Sequence, residues 1–202
     1  MPRLAGQIDV AKNEAILDAA VEVLAERGLS APIEAIARRA SVSKQTIYNH
    51  YGGKTALVRA LVTRRVEYLT APLREPGAQE RPEETLAAYA RILLESICSA
   101  RNYSLIRMTI QGADGLPETA REVFEAGPRA SRAKLAAFLA AETGAGRMAV
   151  EDPDEAAEFF SGMCIGHRQI RALIGLDLGL DEAGIERLAR RIAHRFMRAY
   201  AV

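Results

Sequence analysis

From Val10 to Arg27 the apolar residues Ile16, Ala20, Val23 and Leu24 recur at helical spacing, and Gly28 stands where a C-terminal cap belongs. The pattern predicts a first helix over these residues. Pro32, whose missing N–H is harmless in a first turn, opens a second helix with Ile33, Ile36 and Ala37 on its inner face and an end near Arg39. Ala40, Ser41 and Val42 make a tight connection, Ser43 caps a short third helix that begins Lys44-Gln45-Thr46, and Gly52-Gly53 closes it. A fourth helix runs from Lys54 to Thr70, with Leu57, Leu61 and Tyr68 inward. Between Ala71 and Pro82 the chain holds Pro72, Pro76, Gly77 and Pro82, a composition break that reads as a linker. Further helical patterns cover 83–100, 103–112, 117–142, 153–176 and 181–200, the third of them interrupted at Gly127-Pro128. With no strand alternation and no repeat, the expected fold is all-α: a three-helix N-terminal domain at 1–54, a connecting helix and linker at 55–81, and a larger helical domain at 82–202.

Composition narrows the function classes. The 202 residues are 49% apolar and 26% charged but only 5% aromatic, with no Trp, which suits packed helices rather than disorder or aromatic-rich sheets. No apolar run approaches the roughly 18 residues of a membrane span, and the first residues lack the apolar core of a signal peptide, so a cytoplasmic protein is expected. The net charge of +1 excludes a globally basic nucleic-acid coat. Up to Thr70, however, 10 basic residues face 7 acidic ones, net +3, against 17 and 19, net −2, in the remainder. Cys98 and Cys164 show neither disulfide nor zinc spacing, and no cofactor or metal is implied.

The second helix, its short turn and the third helix form a helix-turn-helix, in which the second of the pair offers its first turn to base edges in the major groove. Gln45 can bond bidentately to an adenine edge, Thr46 can bond or touch a thymine methyl, and Lys44 brings a phosphate charge to a helix N-terminus. Tyr48, Asn49, His50 and Lys54 continue with donors suited to phosphate oxygens. Gly52-Gly53-Lys54-Thr55 ends like a phosphate-binding loop, but the required first glycine would be at position 48, which is Tyr48. A nucleotide site is therefore rejected.

Ile36-Ala37, the run Ala40-Ser41-Val42-Ser43-Lys44-Gln45-Thr46-Ile47-Tyr48-Asn49-His50-Tyr51, and Lys54 with Leu57 together resemble the signature of the TetR family of bacterial transcriptional regulators. The resemblance covers about the first 60 residues. It implies a homodimer on a roughly palindromic double-stranded operator, with Lys44, Gln45, Thr46, Tyr48, His50 and Lys54 at the DNA. Two positions depart from the pattern: Pro32 stands where a Thr often caps the second helix, and Ser41 replaces the common turn Gly. More loosely, Phe124-Glu125-Ala126-Gly127-Pro128, Asp152-Pro153 and Phe159-Phe160-Ser161-Gly162-Met163 resemble the C-terminal half of AefR-like repressors.

On a helical wheel, 153–176 carries a wide apolar arc with two stripes. The stripe Phe159, Gly162, Gly166, Ile170 and Leu173 suits close approach of another helix, assigned to a dimer partner, the alternative being a helix of the same chain. With Ile185, Leu188, Ile192, Phe196 and Tyr200 of the last helix it makes a four-helix dimer interface. The stripe Phe160, Met163, His167 and Ile174, joined by Met108, Phe124 and Phe138, either lines a pocket for a small apolar or amphipathic effector or is ordinary core. His167 either orients that ligand or is a satisfied core or rim residue. Arg187, Arg190, Arg191, Arg195 and Arg198 are expected to pair with Glu151, Asp152, Asp154, Glu155 and Glu158 across antiparallel helices. The expected function is a homodimeric, effector-released repressor without catalytic activity. The rival is an all-α enzyme acting on a small apolar substrate, with His167 and Glu158 as acid and base, which neither a nucleophile nor a metal set supports.

Overall fold

A computed structural model of the chain describes residues 10–202, the side chains of 100–104 excepted, and every regular element among them is helical. The helices are α1 (Val10–Arg27), α2 (Ile33–Arg39), α3 (Lys44–Tyr51), α4 (Lys54–Leu69), α5 (Pro82–Cys98), α6 (Ala100–Gly112), α7 (Pro117–Phe124), α8 (Ala130–Gly144), α9 (Pro153–Leu173) and α10 (Glu182–Ala199). Between α7 and α8 the chain stays helical through a π turn at Glu125–Arg129 that contains Pro128. The widened turn accommodates a proline that has no N–H for the ladder, so 117–144 bends rather than stops.

The helices divide into two compact units, one made of the chain up to Arg65 with Ser104–Ala126, the other of Val66–Tyr103 with Gly127–Val202. In the first, α1 buries Ile16, Leu17, Ala20, Val23 and Leu24 against Ile33 and Ile36 of α2, Ile47 of α3 and Leu57, Val58 and Leu61 of α4. Val123 of α7 is buried in the same core, with Leu105 and Met108 of α6 packed beside it. Residues 104–126, placed by sequence in the C-terminal domain, thus complete the core of the N-terminal unit. A Thr55–Thr119 hydroxyl contact of 3.2 Å and an Arg59–Glu122 ion pair of 3.6 Å fix α7 to α4.

In the second unit α10 packs on α5, and α8 on α9, around Leu86, Tyr89, Leu94, Leu135, Leu139, Phe160 and Phe196. The expected linker is not a loose one. Ala71–Arg74 and Ala78–Glu80 form 3-10 turns with Pro72, Leu73 and Ala78 buried, and the Thr85 hydroxyl donates to the Ala78 carbonyl at 2.9 Å. Its prolines set turn geometry while its apolar residues join the core. Tyr68, expected inward, is 67% exposed, because α4 passes from one unit to the other after Arg65, and Val66 and Leu69 become the buried residues there.

Inside α9, Gly166 adopts φ 42°, ψ −142°, so the helix breaks there. The Arg168 guanidinium donates to the carbonyls of Met163 (3.3 Å) and Cys164 (3.1 Å), partnering groups that the break deprives of helical donors. Cys98 and Cys164 are free thiols, and burial pushes Cys164 up to about 12. The expected arginine pairing between α10 and the start of α9 is absent among the described residues: Asp152 caps α9 by accepting from the N–H groups of Asp154 and Glu155, Glu158 pairs with Arg132, and Arg190 pairs with Glu186 of its own helix. No described helix is long and apolar enough to cross a membrane.

Candidate nucleic-acid interface

The turn before α3 is built by hydrogen bonds rather than by side-chain bulk. After Ala40 the chain enters the left-handed region at Ser41 (φ 54°), the Ser41 N–H donates to the Arg38 carbonyl (3.2 Å), and the Val42 N–H donates to Ala37 (2.9 Å). These two bonds form a Schellman motif, which usually places glycine where Ser41 stands. Ser43 follows in extended backbone and its Oγ accepts from the Thr46 N–H at 3.0 Å, starting α3 as the sequence predicts. Pro32, expected inside α2, instead occupies its N-cap position and supplies no side-chain cap. At the far end, Gly52 (φ 80°) stops α3, and the Tyr51 hydroxyl donates to Asn13 Oδ1 of α1 at 2.5 Å.

Ile47 is fully buried and anchors α3 on the core; Lys44, Gln45, Tyr48, Asn49 and His50, on its other faces, are exposed. The exposed residues are already ordered by one another. Gln45 Nε2 donates to Asn49 Oδ1 at 2.6 Å, Lys44 Nζ lies 2.5 Å from Glu34 Oε1 and 5.6 Å from the Tyr48 ring centroid, and His50 meets the Tyr51 ring edge-on at 4.5 Å. Thr46 is half-buried, with its N–H and hydroxyl both engaged by Ser43 Oγ (3.0 and 2.8 Å), so its first task is capping. Lys54 is half-buried at the start of α4, and burial lowers the pKa of its ammonium. Sequence reasoning missed Glu34 and Asn13. Both reach α3 from other helices, and only an acid in the first turn of α2 hinted at the former.

The six residues expected around an effector are divided between the two units. Met108 and Phe124 belong to the first unit; Phe138, Phe160, Met163 and His167 belong to the second. Phe160 is fully buried, 5.0 Å and perpendicular to the Phe196 ring and 6.0 Å from Tyr89, and Phe138 is buried in the same cluster with Met163 packed on it. Phe138 and Phe160 are thus buried members of this cluster, and Met163 is half-buried at its edge. His167 is exposed, because the break at Gly166 removes it from the stripe a straight helix would give. One recess of about 420 Å³ lies in the first unit, lined by Asn13, Glu14, His50, Tyr51, Arg59 and Arg64 among others, and includes none of the six.

Of the expected dimer residues, Ile192 and Phe196 are buried in the chain's own core, since α10 turns its apolar stripe to α5. Phe159 is 53% exposed, Gly162 and Gly166 are exposed, and Leu173 is half-buried. A Cβ built at Gly162 would meet nothing within 4 Å among the described residues.

Known proteins give this geometry its context. Residues 16–61 match the profile of bacterial regulatory proteins of the tetR family, and residues 84–202 match that of the AefR-like transcriptional repressor C-terminal domain. The HTH-type transcriptional regulator UidR of Escherichia coli K12 is 39% identical over 62 residues, which is 30% of this chain and only 32% of that one. Over 99% of this chain and all of the other, the fold superposes with a TM-score of 0.76 and 25% identity on a crystal structure described as a TetR-family transcriptional regulator from Mesorhizobium loti. The flavonoid-responsive regulator FrrA superposes with a TM-score of 0.72 and 29% identity over 96% of this chain and 98% of its own. The matching relatives regulate transcription. The chain belongs to the TetR family of bacterial transcriptional regulators, with an AefR-like C-terminal domain, and is a DNA-binding regulator rather than an enzyme.

Proposed function

We propose that this regulator is a homodimeric cytoplasmic repressor that binds a roughly palindromic operator through α3 and is released by a small apolar or amphipathic effector. The observation that carries the reading is the first turn of α3: a Ser43-capped helix N-terminus, anchored by buried Ile47, with Gln45 and Lys44 exposed side by side. Gln45 is the base reader, its amide oriented by Asn49, and Lys44, Tyr48, His50 and Lys54 serve phosphates. The exposed outer face of α9, with Phe159 and Gly162, supports assignment of the dimer contact to that helix. Release by a small molecule is supported by the response that FrrA is named for. Release acts by population shift: an effector that binds better to a dimer with wrongly spaced recognition helices lowers operator affinity.

The operator is obtained by selecting bound fragments from the source genome. On it, Gln45→Ala is expected to cost about 1–3 kcal/mol and to relax preference at one base pair per half-site. Lys44→Ala is expected to weaken all sequences alike and to flatten the salt dependence. Equal, sequence-blind losses from both variants would remove Gln45 from the bases.

A further inference from the structure

Glu34 stands in the first turn of α2, ten residues before Lys44, and its Oε1 lies 2.5 Å from Lys44 Nζ with both side chains about half exposed (51% and 53%). The pairing holds the Glu34 carboxyl below the usual carboxylate range, chiefly through the hydrogen bond from Lys44, and raises the Lys44 ammonium above its own usual value. Both groups are therefore charged at neutral pH. The lysine is steadied over the Tyr48 ring at 5.6 Å, so its ammonium is held at the outer edge of the reading helix by two neighbours. An ammonium has three donors, so a phosphate oxygen can be accepted while Glu34 stays bound. Its charge, however, is already cancelled locally.

Sequence-blind affinity for DNA grows with the number of phosphates a protein neutralises, and this chain has few charges to spend on it: net +1 overall and net +3 up to Thr70. We propose, building on the reading of Lys44 as a phosphate contact, that Glu34 is an electrostatic brake on Lys44 that sets the strength and salt response of DNA binding on any sequence. Glu34 acts through Lys44. It leaves base reading to Gln45, whose amide is tied to Asn49 and not to the ion pair.

The test uses the full chain and a duplex of unrelated sequence about three helical turns long, with affinity followed by fluorescence anisotropy between about 50 and 200 mM salt. Wild type, Glu34→Gln, Lys44→Ala and the double variant are compared, circular dichroism confirming that each is folded. Glu34→Gln is expected to bind more tightly at low salt and to steepen the plot of log K against log salt by a part of the roughly 0.9 that one fully neutralised phosphate gives, so by less than about 3.5-fold of extra loss over that range. In the Lys44→Ala background the same change is expected to do nothing. An equal gain in both backgrounds means simple repulsion between Glu34 and DNA and overturns the coupling. Weaker or unchanged binding by Glu34→Gln, with Lys44→Ala impaired, means that the carboxylate positions the lysine or is idle, and overturns the brake. Lys44→Ala that binds like wild type with an unaltered slope refutes the phosphate contact itself, and the brake with it.

Discussion

Replacing Ser41 by glycine isolates the one non-glycine residue among those described that holds a positive φ. At φ 54° a side chain crowds the following carbonyl, a strain of about 1–2 kcal/mol for an L-residue. Glycine removes it but enters with a more mobile unfolded chain, which costs about 0.5–1 kcal/mol. The Ser41 side chain is exposed, and both Schellman bonds use the backbone N–H groups of Ser41 and Val42, which the substitution leaves in place. The net expectation is a gain of about 0.5–1 kcal/mol, a rise in melting temperature of about 1–4 °C for a chain of this size. Thermal unfolding followed by circular dichroism reads it, with Ser41→Ala as the control that keeps a Cβ in the strained conformation and gains nothing comparable. A Ser41→Gly variant no more stable than wild type, or an alanine variant equally stabilised, would refute the assignment of strain to this turn.

Phe160, packed between Phe196 at 5.0 Å and Tyr89 at 6.0 Å, is expected to cost about 3–5 kcal/mol when cut to alanine, measured by denaturant unfolding; a loss under about 1.5 kcal/mol would mean that the ring borders open space after all. Gly162→Leu introduces a side chain with open room in the chain itself, so the variant is expected to stay folded and to sediment as monomer or weakened dimer; an intact dimer with normal operator affinity would move the contact off this face. Glu67 is held below the usual carboxylate range by Lys134 first and then Arg74, so its contribution to stability is present above the ordinary value of 4.5 and is lost as pH falls through the lowered one. Glu67→Gln is accordingly expected to lower the melting temperature at neutral pH and to converge on wild type in acid, and a difference independent of pH would contradict that origin.

The helix-turn-helix was legible because each of its signals is local. Ser43 needs only the N–H three residues on, Gly52 only its own backbone, and the period of Ile33, Ile36 and Ala37 only one face to bury. What escaped was supplied from a distance in sequence: Asn13 on Tyr51, Glu34 on Lys44, and α7 on α4 through Thr119 and Glu122. The composition break at 71–82 was real, yet prolines mark a turn without saying whether the turn is solvated. Here Pro72, Leu73 and Ala78 are buried, and the segment is packed structure.

The C-terminal half was less legible at the level of residues, because a helical wheel carries phase only as long as the helix lasts. At 100° per residue an interruption at one position leaves every later residue on an unknown face, and α9 is interrupted at Gly166. Before the break Phe160 and Cys164 are buried while Phe159 and Gly162 are exposed, as a continuous helical period places them. After it, Ala172 becomes the buried residue, His167, Ile170 and Ile174 are all exposed, and Leu173 is only half-buried. Two glycines four apart looked like one feature, a groove for a neighbouring helix, but they do different things. Gly162 is helical and leaves open space, whereas Gly166 has a backbone conformation that a side chain would strain and whose freed carbonyls Arg168 takes up. The same arc therefore counts as apolar surface for two reasons: before the break because the Phe159 and Gly162 face stands exposed among the described residues, and after it because the chain has turned.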